Sequence, residues 1–364
     1  MQKFAFIIHP LDVGDVARKF PVAARLPERL VEKAVQLIPP LKVSSITGVE
    51  SAFSRAGGWF VSCPLTARQM VTLPADFVTR RIIQSGRLAE KLGARIVGLG
   101  AFTSVVGDAG ITVARNLNIA VTTGNSYTVA TAIEGAKEAS KLMGHNIRKL
   151  NAVVIGATGS IGKVCALMLA RDVKNLTLVA RDKDRLEEVA QKILYETGLA
   201  VQITSDIKRA MKNAQLVITV TSAVDILIGP EDLAPGAVVC DVSRPRNVSK
   251  QVAEQRDDVL VIEGGVVEVP GDVNFNFNFG FPPGMAYACM AETMMLALEG
   301  RYESFSLGRD ITVEQVEETC RLAAKHGFKL AGFRSFERAV DMQDINRIKD
   351  NALRRQSLAE SSPA

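Results

Sequence analysis

Short apolar runs alternate with segments of helical period through the middle of the chain. Ala152–Ile155, Leu176–Ala180, Val201–Ile203, Leu216–Val220, Ala237–Cys240 and Val259–Ile262 are read as strands. Between them Ile161–Ala170, Asp184–Leu194 and Asp206–Asn213 carry the spacing of helices. Strands that are apolar along both faces belong to a parallel sheet covered on both sides. Regular β/α alternation makes this a doubly wound, Rossmann-type domain, assigned to residues 144–268.

The flanks are less regular. Residues 1–143 form an N-terminal α/β domain, with strands predicted at Lys3–Ile8, Arg95–Leu99 and Ile119–Val121. Helices are predicted there at Phe77–Leu92 and Tyr127–Met143, the second joining the two domains. Residues 269–364 read as a C-terminal helical segment, with helices at Met285–Leu298, Val313–Lys325 and Met342–Arg355. The fold class is α/β.

Composition narrows the function. Of 364 residues, 47% are hydrophobic and 23% charged, which sets aside disorder, collagen and a disulfide scaffold. No apolar run approaches the ~18–20 residues of a membrane helix. Phe4–Ile8 is too short for a secretion signal. The five cysteines are scattered without a C-x-x-C pair, and the three histidines lie far apart, so no metal site is expected. A reduced, cytoplasmic protein follows. The net charge of +5 does not call for nucleic acid but suits weak attraction to an acidic partner.

Candidate chemistry begins at Gly156-Ala157-Thr158-Gly159-Ser160-Ile161-Gly162, which follows one strand and opens a helix. Glycines so placed let the backbone turn tightly and approach a pyrophosphate at the helix N-terminus. The second strand ends Ala180-Arg181-Asp182, without an acidic residue at its last position to take a ribose hydroxyl. Arg181 could stack on adenine or pair with a 2′-phosphate, which favours NADPH; the alternative is a solvated helix start. Thr219 and Thr221, before Ser222, end the fourth strand and would border the nicotinamide ribose, or form a plain loop. Thr122-Thr123-Gly124-Asn125-Ser126 precedes a helix, as N-cap residues do, or as a polar cradle for substrate. Asn274–Phe281 alternates Asn with Phe, so an extended chain would put four Phe on one face: a half-buried strand, or an apolar wall. Arg80, Arg81, Arg87 and Lys91 recur on a helix, as a solvated face or a dock for an acidic protein. Cys289 sits in the early turns of a helix, where a thiolate is favoured, and Cys240 ends a strand at the sheet's ligand edge. Either could be a nucleophile, and either could be a buried core residue.

Several segments together resemble the long-chain acyl-[acyl-carrier-protein] reductases, cyanobacterial enzymes that form fatty aldehydes. Gly100-Ala101-Phe102-Thr103-Ser104 is similar to their G-G-F-T-S, and Thr122-Thr123-Gly124-Asn125-Ser126-Tyr127-Thr128 to T-T-G-N-T-H-T. The glycine turn resembles G-A-T-G-D-I-G, and Ala180-Arg181-Asp182 with Arg185-Leu186 resembles A-R-N-x-x-R-L. Gly264–Glu268, Ala288-Cys289-Met290-Ala291-Glu292, Phe305–Arg309 and His326-Gly327-Phe328 resemble G-G-V-V-E, A-C-F-A-E, F-S-W-G-R and H-G-F. The likeness runs in order from about residue 3 to 328; Val269–Met285 and the residues beyond about Lys329 depart from it.

The resemblance implies reduction of an acyl thioester by NADPH, with Cys289 as the nucleophile that carries the acyl group. It leaves Cys240 without a counterpart and makes Cys63 a shared structural residue. It implies an acyl-substrate role for the N-terminal domain, with Phe102, Thr103, Thr123, Asn125 and Ser126 as substrate residues. The partner it implies is an acyl carrier protein or coenzyme A thioester. His9 matches a family position without an assigned role. Two alternatives stand beside it: a shikimate-dehydrogenase-like oxidoreductase that needs no cysteine, and a non-catalytic NADP-binding sensor.

Overall fold

The computed structural model describes residues 1–221, 226–243, 246–278, 280–336 and 338–361. The chain forms two compact units. One comprises Met1–Tyr127, Val267–Ile311 and Glu317–Lys329; the other comprises Thr128–Val266, Thr312–Val316 and Leu330–Ala364. Residues 269–364, expected as a segment of their own, are therefore divided between the two.

The first unit is built on a five-stranded sheet in the order β2–β3–β1–β4–β5. Its strands are β1 (Gln2–Ile8), β2 (Lys42–Glu50), β3 (Arg55–Ser62), β4 (Ile96–Leu99) and β5 (Ala120–Thr122). All pair in parallel except β2, which is antiparallel to β3. Central β1 is buried on both faces, which is why Phe4, Ala5, Phe6 and Ile7 run without polar alternation. The neighbouring β3 must carry glycine opposite Phe4: a Cβ on Gly58 would lie 2.3 Å from the Phe4 carbonyl oxygen. Helix Ala288–Glu299 packs on β1 and β4. A Cβ on Gly98 of β4 would lie 2.1 Å from Thr293 Oγ1, so this glycine lets the helix come down onto the sheet.

Two expectations change in this unit. The Asn274–Phe281 segment is not an extended strand with four Phe on one face. The Asn274 side chain accepts the Asn276 N–H at 2.8 Å, and the Asn278 side chain accepts the Gly280 N–H at 2.9 Å. These Asx turns bend the chain, and Asn276 adopts φ +47°. Phe275 is buried with its ring 6.0 Å from that of Phe60, Phe277 is partly exposed at 5.9 Å from the same ring, and Phe281 packs on Tyr287. Phe279 lies outside the described residues. On helix Ala75–Lys91, Arg80, Arg87 and Lys91 are exposed, but Arg81 is half-buried. Arg81 donates to the Ile38 carbonyl and, at 2.8 Å, to Gln84, so the basic face has three members rather than four.

The second unit holds a six-stranded sheet in the order β11–β10–β9–β6–β7–β8. The strands are β6 (Asn151–Ile155), β7 (Asn175–Val179), β8 (Gln202–Thr204), β9 (Leu216–Thr219), β10 (Val238–Asp241) and β11 (Leu260–Glu263). All are parallel. Strand order reverses between β6 and β9, the switch point at which doubly wound sheets bind ligands. This is the Rossmann-type architecture that serves nicotinamide dinucleotides.

Residues beyond 329 fold onto this unit. A small hairpin, Phe333–Ser335 with Arg338–Val340, lies beside the end strand β11, and Phe336 packs against the core that contains Val239 and Val261. Helix Met342–Ser361 is fastened by Arg355, 2.7 Å from Asp257 and 3.2 Å from Asp258. Among the described residues no helix is long and apolar enough to cross a membrane, and no cluster of His, Cys, Asp or Glu could hold a metal.

Candidate active site

The glycine turn sits where β6 ends and helix Ser160–Leu169 begins. Gly156 has φ +86°, and a Cβ there would lie 2.7 Å from the Val220 carbonyl oxygen. A Cβ on Gly162 would lie 2.2 Å from the Gly156 carbonyl oxygen, so this glycine allows the helix to pack against the turn. Gly159 is the N-cap and offers no side-chain hydrogen bond, leaving the first N–H groups of a ten-residue helix available to an anion. Ala157 is buried and donates its N–H to the Val179 carbonyl; Thr158, Ser160 and Ile161 are half-buried along the turn. These residues fit a dinucleotide's pyrophosphate.

Ala180 and Arg181 follow β7, and Arg181 is exposed. Asp182 is the N-cap of helix Lys183–Thr197: its carboxylate accepts the Arg185 N–H at 3.2 Å and lies 3.4 Å from the Arg185 guanidinium. The acid nearest the strand end is thus engaged by its own helix. Thr219 ends β9 and Thr221 lies two residues beyond it, where the Asn247 side-chain oxygen accepts from Thr219 at 2.9 Å, Thr221 at 2.8 Å and Ser243 at 2.6 Å. Their hydroxyls order the strand ends. Ser222 lies outside the described residues.

In the first unit Cys289 is the second residue of helix Ala288–Glu299. The N-cap, Tyr287, makes no side-chain capping bond, so the helix start keeps its partial positive charge beside the thiol. Cys289 is half-buried, whereas Cys63, Cys165 and Cys240 are fully buried. Burial pushes the Cys63 and Cys165 thiols up to about 12, which leaves them inert.

Cys289 is met by the turn that the sequence marks as Thr122–Ser126. Gly124 has φ +73°, and a Cβ on it would fall 2.3 Å from the Cys289 Cα and 2.7 Å from its carbonyl oxygen. Thr123 donates to the Ser306 carbonyl at 2.5 Å, and the Ser126 and Ser306 hydroxyls are 2.6 Å apart. Asn125 is buried at the start of helix Asn125–Leu142. Thr123, Asn125 and Ser126 therefore flank the Gly124 contact with Cys289 along the chain, and the Thr123 and Ser126 hydroxyls are bound within the protein.

Phe102 and Thr103 occupy a 3₁₀ turn after β4, both buried. Thr103 donates to the Gly100 carbonyl at 2.7 Å, and the Phe102 N–H donates to His9 Nε2 at 3.2 Å. His9 Nδ1 donates to the Pro10 carbonyl at 2.9 Å, so both ring nitrogens are engaged in a neutral imidazole. Burial lowers the His9 pKa, consistent with that state.

Sequence reasoning passed over Glu292. It is fully buried, one turn after Cys289. Its carboxylate accepts from Thr122 Oγ1 at 2.5 Å and the Tyr127 N–H at 2.8 Å. The available signal was a lone carboxylate within the apolar run Ala288–Leu298.

The profile of the shikimate/quinate 5-dehydrogenase family matches residues 137–263. Aminotransferase PigE from Serratia sp. is 30% identical over 362 residues, covering 95% of this chain, which spans only 42% of PigE. The long-chain acyl-[acyl-carrier-protein] reductase of Synechococcus elongatus is 29% identical over 309 residues, 81% of this chain and 87% of that protein. Glutamyl-tRNA reductase from Salinibacter ruber is 34% identical over 129 residues, 34% of this chain and 26% of that protein. The chain is thus similar to nicotinamide-dependent oxidoreductases.

Proposed function

We propose that this protein is an NADPH-dependent acyl-thioester reductase that releases an aldehyde through a cysteine acyl-enzyme. The observation that carries the reading is a half-buried thiol at the second position of an uncapped helix start, with the Gly124 turn packed on its backbone. The Synechococcus reductase, aligned over most of both chains, supports the same substrate class.

The positive end of the helix stabilises negative charge on Cys289 Sγ. That sulfur attacks the thioester carbonyl carbon, forming a new carbon–sulfur bond. The bond to the departing thiol breaks, its electron pair leaves on that sulfur, and the sulfur takes a proton. The acyl group is then held on Cys289. Gly156, Gly159 and Gly162 would hold the dinucleotide's pyrophosphate at the helix start, and Arg181 would pair with its 2′-phosphate. When bound, the dinucleotide supplies the hydride that brings the acyl group to the aldehyde level. The carbon–sulfur bond to Cys289 then breaks, its electron pair returns to Sγ, and the aldehyde leaves. The donor is an acyl carrier protein or coenzyme A thioester. Similarity to PigE adds a fate for the product, because an aldehyde is an amino acceptor for transamination.

The test is to mix the protein with an acyl thioester in the absence of NADPH, digest it, and weigh the Met285–Glu292 peptide. An acyl adduct there, absent in Cys289→Ala, is the expected result. A Cys289→Ala protein that makes aldehyde at the native rate overturns the mechanism. A second reading, oxidation or reduction at a hydroxyl carbon without a covalent step, is favoured by the dehydrogenase profile, which covers 137–263 and stops short of Cys289. Full activity after thiol blocking would select it.

A further inference from the structure

Glu292 costs the fold something. A carboxylate taken out of water is unfavourable unless its oxygens are fully hydrogen-bonded, and this one is 0% exposed. Its bonds go to segments far from it in sequence: Thr122 Oγ1 at 2.5 Å and the Tyr127 N–H at 2.8 Å. The Ser306 hydroxyl also faces it, and the Gly124 N–H donates to Thr122 Oγ1 at 3.4 Å. The Tyr127 amide can only donate, so it requires an acceptor oxygen on its side; glutamine keeps one such oxygen and presents an NH₂ in place of the other.

The geometry ties these bonds to Cys289. Residues three apart on a helix share a face, which puts Glu292 directly behind Cys289 along Ala288–Glu299. The turn it gathers is the one whose Gly124 lies against the Cys289 backbone. Ser306, held at φ +53°, closes the same cluster through Ser126 and Thr123. One carboxylate therefore joins three chain segments, one of which rests on the Cys289 backbone.

We infer that Glu292 is a positioning residue for Cys289: its carboxylate holds the Thr122–Tyr127 turn against the nucleophile and fixes the geometry in which the sulfur meets an electrophile. The inference rests on the reading of Cys289 as the nucleophile, and it concerns the rate at which that sulfur reacts, not the folding of the unit.

The test uses the full chain and two variants, Glu292→Gln and Thr122→Val. Iodoacetamide alkylation of Cys289, read on the peptide that carries it, reports sulfur reactivity without any thioester. Acylation by the thioester, KM and thermal midpoint are measured in parallel. The expected result for Glu292→Gln is at least a tenfold change in alkylation rate and a tenfold fall in acylation rate, with KM within twofold of native. Thr122→Val, which removes the hydroxyl that donates to Glu292 and accepts the Gly124 N–H, should change both rates several-fold in the same directions. If Glu292→Gln does not fold, Thr122→Val decides. A folded variant of either kind that alkylates and acylates at native rates overturns the inference, as does a lowered thermal midpoint with unchanged rates. A native protein that is alkylated but never acylated at Cys289 would instead sink the proposed function, while the alkylation ratios still judge the role of Glu292.

Discussion

Replacing Gly124 by alanine adds one methyl group where the structure has no room. The new Cβ would lie 2.3 Å from the Cys289 Cα, 2.4 Å from its Cβ and 2.7 Å from its carbonyl oxygen. Two of these three atoms are backbone and cannot swing aside. The residue also sits at φ +73°, where an L side chain costs about 1–2 kcal/mol. Overpacking adds about 1–3 kcal/mol, for a total of about 2–5 kcal/mol. Gly284 provides the control: it has φ +82°, and a Cβ there meets nothing within 4 Å. Gly284→Ala should therefore lose only the conformational part, about 1–2 kcal/mol. Urea unfolding of the two variants separates the contact from the backbone strain. Alkylation of Cys289 then shows whether the displaced turn alters the thiol. If Gly124→Ala is no less stable than Gly284→Ala and its thiol reacts at the native rate, the turn does not rest on Cys289 and the site has been drawn wrongly.

Arg181→Ala should weaken NADPH by about 1.5–3 kcal/mol, the worth of a charge-assisted contact, and leave NADH nearly unchanged; isothermal titration with both cofactors checks this. His9 is held neutral with a pKa below the usual ~6.5, so the unfolded chain binds the extra proton first as pH falls. The native protein should lose stability from about pH 6.5 downward, at no more than about 1.4 kcal/mol per unit for this group. His9→Gln should lack that part of the slope in urea midpoints between pH 7 and 5. Phe275 packs in the core against Phe60, so Phe275→Ala should cost about 3–5 kcal/mol of stability and leave the preference among acyl chain lengths unaltered.

The six-stranded sheet was legible because β6, β9, β10 and β11 are buried along almost their whole length and so appear in the sequence as apolar runs, whereas the end strand β8, Gln202–Thr204, is not buried. The glycine turn was legible because its constraints are local: Gly162 must clear the Gly156 carbonyl six residues before it. The β2–β3 hairpin was not foreseen. Its strands contain Ser44, Ser45, Gly48, Gly57 and Gly58, and the need for glycine at 58 comes from Phe4, a residue on another strand. The Asn-Phe alternation misled for a local reason, since Asn side chains can close turns as readily as they can line a strand. Glu292 escaped notice because its partners Thr122 and Tyr127 are 170 and 165 positions away. Arg81 looked like its charged neighbours, and its bonds to Gln84 and to the distant Ile38 carbonyl distinguish it.

An open sheet has two ends, and each presents unpaired peptide groups that can template a foreign strand. At the β11 end that hazard is managed by residues after Lys329, whose hairpin lies alongside and whose helix is pinned by Arg355 to a buried aspartate, Asp258, that Arg256 also grips. The tail is therefore a guard on the sheet. A chain cut at Lys329 would retain the glycine turn, Arg181 and Cys289, yet it would bare a β-rich margin and the apolar ground under Phe336. Light scattering during refolding would show the difference as self-association, even though every residue of the proposed mechanism is retained.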